Sequence, residues 1–119
     1  MHGMKFYNFI QERGGKVTLE AIAKPESSWA SPLAAFEAIQ KHEEHVTNLI
    51  NNLVDLAISE KDHATNNFLQ WFVSEQVEEE ASVGAVVDKL KMIQDNPSGL
   101  FMVDAELGKR VFTMPVAAA

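Results

Sequence analysis

The sequence predicts an all-α fold, a helical bundle in a single domain spanning residues 1–119, on three observations. Apolar residues recur at alternating intervals of three and four along most of the chain, which is the spacing of one buried helix face. Gly14-Gly15 and the run NPSG at 96–99 interrupt this pattern, as helix-ending residues do. The chain is also long enough for one small domain.

We predict four helices separated by these breaks and by one short turn, over residues 2–13, 32–58, 62–94 and 100–112. The first ends at the glycine pair, in the manner of a C-terminal glycine cap. The second begins where Ser31 can serve as N-cap and Pro32 takes the first helical position. Because only the turn SEKD separates the two long helices, they should form an antiparallel hairpin.

The segment 14–31 between the first two helices is too long for a simple connection and has no sustained apolar period. Fully extended it could span roughly 60 Å. The second helix is only roughly 40 Å long at ~1.5 Å per residue. The segment can therefore cross the whole bundle as a crossover loop and leave the first two helices parallel.

The composition excludes several classes of protein. The formal net charge of −7 argues against binding to a phosphate backbone and favours cationic partners such as metal ions. No apolar run approaches the roughly 20 residues of a membrane helix, and the N-terminal segment lacks the pattern of a signal peptide. Since the chain has no cysteine either, we expect a cytoplasmic protein that binds neither a membrane nor a nucleic acid.

Polar side chains interrupt the apolar seam of the two long helices. On the second helix the seam comprises Phe36, Ile39, Glu43, Val46, Ile50, Leu53 and Ala57. On the third helix it comprises Thr65, Leu69, Phe72, Gln76, Glu79, Val83, Val86, Leu90 and Ile93. In the first helix, His2 shares the spacing of Phe6 and Phe9, so its imidazole should lie on the buried face.

These interruptions should meet at one level of the bundle. In an antiparallel hairpin, residues at equal height are equidistant in sequence from the turn. The position halfway in sequence between Glu43 and Gln76 falls inside the turn SEKD, and so does the position halfway between Glu43 and Glu79. A solvated helix face remains the alternative for each residue taken alone. An isolated buried carboxylate, however, is costly unless it is paired or bound to a cation, and no lysine or arginine takes a neighbouring seam position. A bound metal ion would offset that cost.

The donor atoms indicate which metal would bind. Carboxylate and amide oxygens with an imidazole and without thiolate suit iron or manganese better than zinc, and closely placed carboxylates can bridge two ions. Glu75 and Glu78, adjacent to the seam pair, could extend the acidic cluster toward a third, weaker ion or an entry path.

Three segments carry a resemblance to a known family: KHEEHVTNLINNL at 41–53, NFLQWFVSEQVEEEAS at 67–82 and DKLKMIQDNPSGLFMVDAEL at 88–107. They resemble the last two long helices and the terminal segment of bacterial non-haem ferritins, and the likeness runs from about His2 to Phe112. The resemblance implies a ferritin-like four-helix bundle with a long crossover, usually assembled as a shell of 24 subunits. It also implies oxidation of ferrous iron by dioxygen and storage of a ferric mineral.

The resemblance also implies roles for particular residues. His2 is similar to the histidine of the family's Glu-x-x-His motif, Glu43 to the ligand on its third helix, and Gln76 to the glutamine beside the oxidation centre. Glu75, Glu78 and Glu79 resemble the additional acidic iron site of the bacterial branch. The implied cofactor is iron, Fe(II) and Fe(III), as a di-iron pair, and no methionine takes a recognisable haem-ligand position.

The chain departs from the family pattern before His2, where family members carry a first helix, most of a second, and two further glutamate ligands. We expect a bundle that is incomplete in one chain, either a truncation or fragment, or a protein that self-associates. Two hairpins could make one four-helix bundle, since a lone copy would expose its apolar seam. The C-terminal MPVAAA also differs from the family pattern.

Three functions follow from the sequence. The first is an iron storage and ferroxidase protein, with iron ions and dioxygen as partners. The second is a catalytically inactive ferritin fragment that retains packing and acidic metal binding. The third is a purely structural helical self-association domain, in which Glu43 and Gln76 should tolerate alanine without a metal-dependent change in stability.

Overall fold

The computed structural model describes residues 1–94 and 96–111, which form four α-helices and no strand, so the predicted all-α class is confirmed. The helices are α1 (His2–Glu12), α2 (Pro32–Ser59), α3 (His63–Ile93) and α4 (Pro97–Leu107). Within these described ranges, none of the helices has both the length and the apolar character needed to cross a membrane.

The two long helices each begin at a residue whose side chain caps the first turn. Ser31 Oγ accepts a hydrogen bond from Ala34 N at 3.0 Å, and Pro32 takes the first position of α2. At the start of α3, Asp62 accepts from the hydroxyl of Thr65 at 2.6 Å and from its backbone N–H at 3.1 Å. These two bonds, with a smaller contribution from the Arg13 guanidinium at 3.3 Å, lower the pKa of Asp62.

Helices α2 and α3 form the predicted antiparallel hairpin, and their seam provides two groups of core side chains. One group lies toward the turn and consists of Ile50, Ala57, Leu69 and Phe72. The other lies at the far end, where Val86 and Leu90 pack with Val103 of α4. Glu43 and Gln76 fall between the two groups along their helices, so the polar level is enclosed by apolar packing on both sides.

Helix α1 packs on the first half of α3 through aromatic side chains. The ring of Phe9 stacks on Phe68 with centroids 4.0 Å apart, and the ring of Phe6 lies 4.5 Å from that of Phe72. Later residues of α1 thus meet earlier residues of α3, so the two helices are antiparallel. Because α2 is also antiparallel to α3, α1 and α2 run in the same direction, as the length of the crossover loop predicts.

The observed bounds of α4 correct the predicted helix over 100–112. The helix begins at Pro97 because Asn96, part of the predicted break, accepts a hydrogen bond from Gly99 N and acts as N-cap. It ends at Leu107, capped by Gly108. A Cβ at Gly99 would lie 2.8 Å from Cβ of Ile93, so the turn from α3 into α4 requires glycine there. Residues 112–119, including the C-terminal MPVAAA, lie outside the described ranges.

Candidate metal centre

Gln76 is the one buried polar side chain of the described residues, with an exposed fraction of 5%. Its side-chain nitrogen Nε2 reaches across to α2 and donates to the backbone oxygen of Glu43 at 3.1 Å and to Thr47 Oγ1 at 3.0 Å. A third, longer contact of 3.3 Å joins Nε2 to the carboxylate oxygen Oε2 of Glu43. The level at which the sequence places Glu43 opposite Gln76 is therefore present in the fold.

A second polar pair extends this network by one helical turn. The hydroxyl of Thr47 donates to Oε1 of Glu80 at 2.7 Å, and both side chains are partly buried. Sequence reasoning missed these two residues because neither lies on the apolar seam. A signal was nonetheless present, since Thr47 follows Glu43 by four residues and Glu80 follows Gln76 by four, which places each pair on one helix face.

The other predicted ligands on α3 surround Gln76 without joining the network. Glu75 and Glu79 are partly buried, and Glu78 is exposed. Across residues 1–94 and 96–111, these three side chains make no hydrogen bond and no salt bridge. Their carboxylates therefore add negative charge beside Glu43 and Gln76 that no lysine or arginine of the described chain neutralises.

His2 is exposed, which differs from its predicted place on the buried face. Its ring stands edge-on to Trp71 at 5.3 Å and to Phe72 at 5.9 Å. The imidazole therefore packs beside Phe72, which lies one helical turn before Gln76 on α3. It remains exposed because it is the first residue of α1 and packs by one edge only. Nearby, the ammonium of Lys5 lies 3.2 Å from the centroid of Trp71.

The arrangement as a whole offers hard oxygen donors at the middle of a helical hairpin. Within the described part of the chain, no three histidine, aspartate or glutamate side chains converge closely enough to hold a metal ion together. The closest assembled feature is the Glu43–Gln76 contact, which supplies a carboxylate and an amide. Such oxygen donors fit Fe(II) or Mn(II), which prefer them over the thiolates that softer metals select.

Comparison with known proteins identifies the family. A ferritin-like domain profile matches residues 1–93. The bacterial non-heme ferritin of Bacteroides fragilis (strain 638R) is 43% identical over 109 residues, which cover 92% of this chain and 67% of that protein. The corresponding protein of Campylobacter jejuni is 41% identical over 103 residues, covering 87% of this chain and 62% of the relative. The chain thus spans about two thirds of the length of these relatives.

Solved structures agree with this assignment. An open pore ferritin from Archaeoglobus fulgidus is 52% identical with a TM-score of 0.92, and the match covers 93% of this chain and 68% of that one. A humanized archaeal ferritin is 52% identical with a TM-score of 0.93, covering 95% and 68% of the two chains. The fold, the hairpin sequence and the family profile agree, and the chain therefore belongs to the ferritin family.

Proposed function

We propose that this protein binds ferrous iron, oxidises it with dioxygen and retains the ferric product, as an iron storage protein of the bacterial non-haem ferritin type. The observation that carries the proposal is the contact between Glu43 and buried Gln76 at the centre of a ferritin-like hairpin. Iron and dioxygen are its substrates, and the cytoplasm is the proposed location.

The network assigns a different task to each of the two central residues. Nε2 of Gln76 donates to Glu43 Oε2, so the amide steers one carboxylate oxygen and leaves Oε1 of Glu43 for a cation. The amide oxygen of Gln76 can serve as a neutral second donor. Glu79 and Glu75 would supply further anionic oxygens and His2 a nitrogen, while exposed Glu78 would meet arriving iron.

The proposed reaction needs two ferrous ions close together. Each Fe(II) gives one electron, and one dioxygen takes both with two protons to become hydrogen peroxide, while both ions become Fe(III). The carboxylates stabilise the higher charge of the ferric ions, which favours oxidation. Carboxylates that hold the two ions close together are therefore part of the proposal, and Glu43 and Glu79 would supply them.

The protein is further proposed to act as a homo-oligomer, either as the 24-subunit shell that the resemblance implies or as a dimer that completes the bundle. Leu49, Leu53 and Leu56 of α2 leave 49%, 40% and 55% of their surface exposed, although they lie on or beside its apolar seam. Exposed apolar surface of this kind favours a covering partner. Measurement of mass in solution by light scattering tests this part, and a monomer would contradict it.

Anaerobic titration with Fe(II) followed by a pulse of dioxygen tests the central proposal. The purified chain is compared with Glu43→Ala and Gln76→Ala, and with Glu44→Ala as a matched control, since Glu44 is an exposed neighbour on α2. We expect saturable binding and rapid oxidation in the parent chain and in Glu44→Ala, with loss in the other two. Weak, non-saturating binding and oxidation no faster than in buffer would instead support a catalytically inactive ferritin fragment. Full activity in Glu43→Ala and Gln76→Ala would exclude this site.

A further inference from the structure

The hydrogen bonds around Gln76 have a fixed direction along the whole network. Glu80 is a carboxylate, which in its ionised form only accepts, so the single hydroxyl proton of Thr47 is committed to it at 2.7 Å. Thr47 Oγ1 can then offer only a lone pair to Gln76, 3.0 Å away. Glu80 thereby makes Thr47 an acceptor toward the Gln76 amide, in the same sense as the backbone oxygen of Glu43.

Three atoms of α2 face the Gln76 amide, and with the Thr47 proton given to Glu80 all three are acceptors. They are the backbone oxygen of Glu43, its carboxylate Oε2, and Thr47 Oγ1. A rotation of the amide by 180° would bring Oε1 of Gln76 against three acceptors in a buried place, where an unmatched polar contact is costly. Only one amide orientation is therefore compatible with the network.

The permitted orientation directs the amide oxygen away from α2. Among the described residues, Oε1 of Gln76 accepts no hydrogen bond, although only 5% of the surface of this residue is exposed. No fully enclosed side-chain nitrogen or oxygen in residues 1–94 and 96–111 lacks a partner. The unpartnered Oε1 therefore keeps some contact with solvent.

We propose that Thr47 and Glu80 are positioning residues, which fix the amide of Gln76 so that its oxygen, and not its nitrogen, faces incoming ferrous iron. The inference rests on the proposed function, because it takes Gln76 as a contact of the iron. Neither positioning residue needs to touch the ion. Partners that orient a metal-binding side chain in this way commonly change affinity by about 10- to 100-fold when removed.

Two substitutions at Thr47 separate positioning from packing. Thr47→Val keeps the shape but removes the hydroxyl, whereas Thr47→Ser keeps the hydroxyl and removes a methyl group. We expect Thr47→Val to weaken anaerobic Fe(II) binding by about 10-fold or more and Thr47→Ser to retain it. Glu80→Ala should weaken binding to a smaller extent, because the freed Thr47 hydroxyl can then turn its proton toward the amide and is no longer committed as an acceptor for Nε2 of Gln76. Thermal unfolding without metal identifies any variant that fails to fold.

A double variant shows whether Thr47 acts through the amide. In Gln76→Glu the two terminal oxygens are equivalent, so there is no amide orientation left to fix. We expect Thr47→Val to cause little further loss of Fe(II) affinity in that background. The same loss in both backgrounds would overturn the inference, as would unchanged binding by Thr47→Val in the parent chain. A parent chain that binds no Fe(II) would instead refute the proposed function itself.

Discussion

Replacement of Gln76 by leucine removes the buried amide while keeping a side chain of similar size. Two hydrogen bonds of 3.0 and 3.1 Å are lost, together with a weaker contact of 3.3 Å. Each good bond contributes about 0.5–1.5 kcal/mol net. Thr47 keeps its bond to Glu80, and the partly exposed carboxylate of Glu43 can be hydrated, so no group is left buried and unpaired.

The expected loss of stability without metal is therefore roughly 1–2 kcal/mol, since burial of leucine offsets part of the lost bonds. For a chain of 119 residues the corresponding fall in Tm is roughly 4–8 °C. Gln70→Leu provides the matched control on the same helix, because Gln70 is exposed and, among the described residues, its amide bonds only to Asn66. Its effect should stay within about 0.5 kcal/mol.

The assay is thermal unfolding followed by circular dichroism, with and without Mn(II). Mn(II) replaces Fe(II) because dioxygen does not readily oxidise it. A ligand at 100 times its Kd stabilises the folded state by about 2.7 kcal/mol, and a tenfold loss of affinity leaves about 1.4 kcal/mol. We expect Gln70→Leu to keep the metal-induced rise and Gln76→Leu to lose at least half of it. Equal destabilisation by the two substitutions would refute the network, and a full rise in Gln76→Leu would refute its role at the metal.

Three further predictions concern the fold. Leu69→Ala, at 1% exposure, should cost about 2–5 kcal/mol in urea unfolding, whereas Met92→Ala, at 84% exposure on the same helix, should cost much less; similar losses would contradict the described core. Asp62 has a lowered pKa, so its stabilising contribution is full above its ordinary value of 3.8 and disappears as pH falls through the lower folded value. The stability advantage over Asp62→Asn should shrink over that window, and a constant difference would argue against it. Gly99→Ala should destabilise by about 1–3 kcal/mol and Gly3→Ala, with open space around it, should not clash.

The hairpin and its polar level could be predicted because both depend on regular geometry. An apolar repeat of three and four marks one helix face, and a short turn forces two such faces together at heights counted from the turn. Those two facts are enough to bring Glu43 to Gln76, which the structure shows in hydrogen-bonding contact. The acidic residues on α3 and the family motif are likewise visible in the sequence.

The rest depended on contacts that periodicity does not encode. His2 has the spacing of a buried residue but lies at the first position of α1 and stays exposed. Asn96 and Pro97 are typical both of a break and of a helix start, and only the bond from Gly99 to Asn96 decides between them. Whether the acidic residues act as ligands remains a prediction.

The sequence by itself determined the helices, the hairpin and the level of its polar defect, because these follow from residue type and spacing along one chain. Only the tertiary structure decided which atoms meet there. The pairing of Thr47 with Glu80 and the contacts of the Gln76 amide depend on side-chain rotamers of two helices packed against each other. That packing fixes distances of a few ångströms between residues that are 33 positions apart in the chain, which no local pattern records.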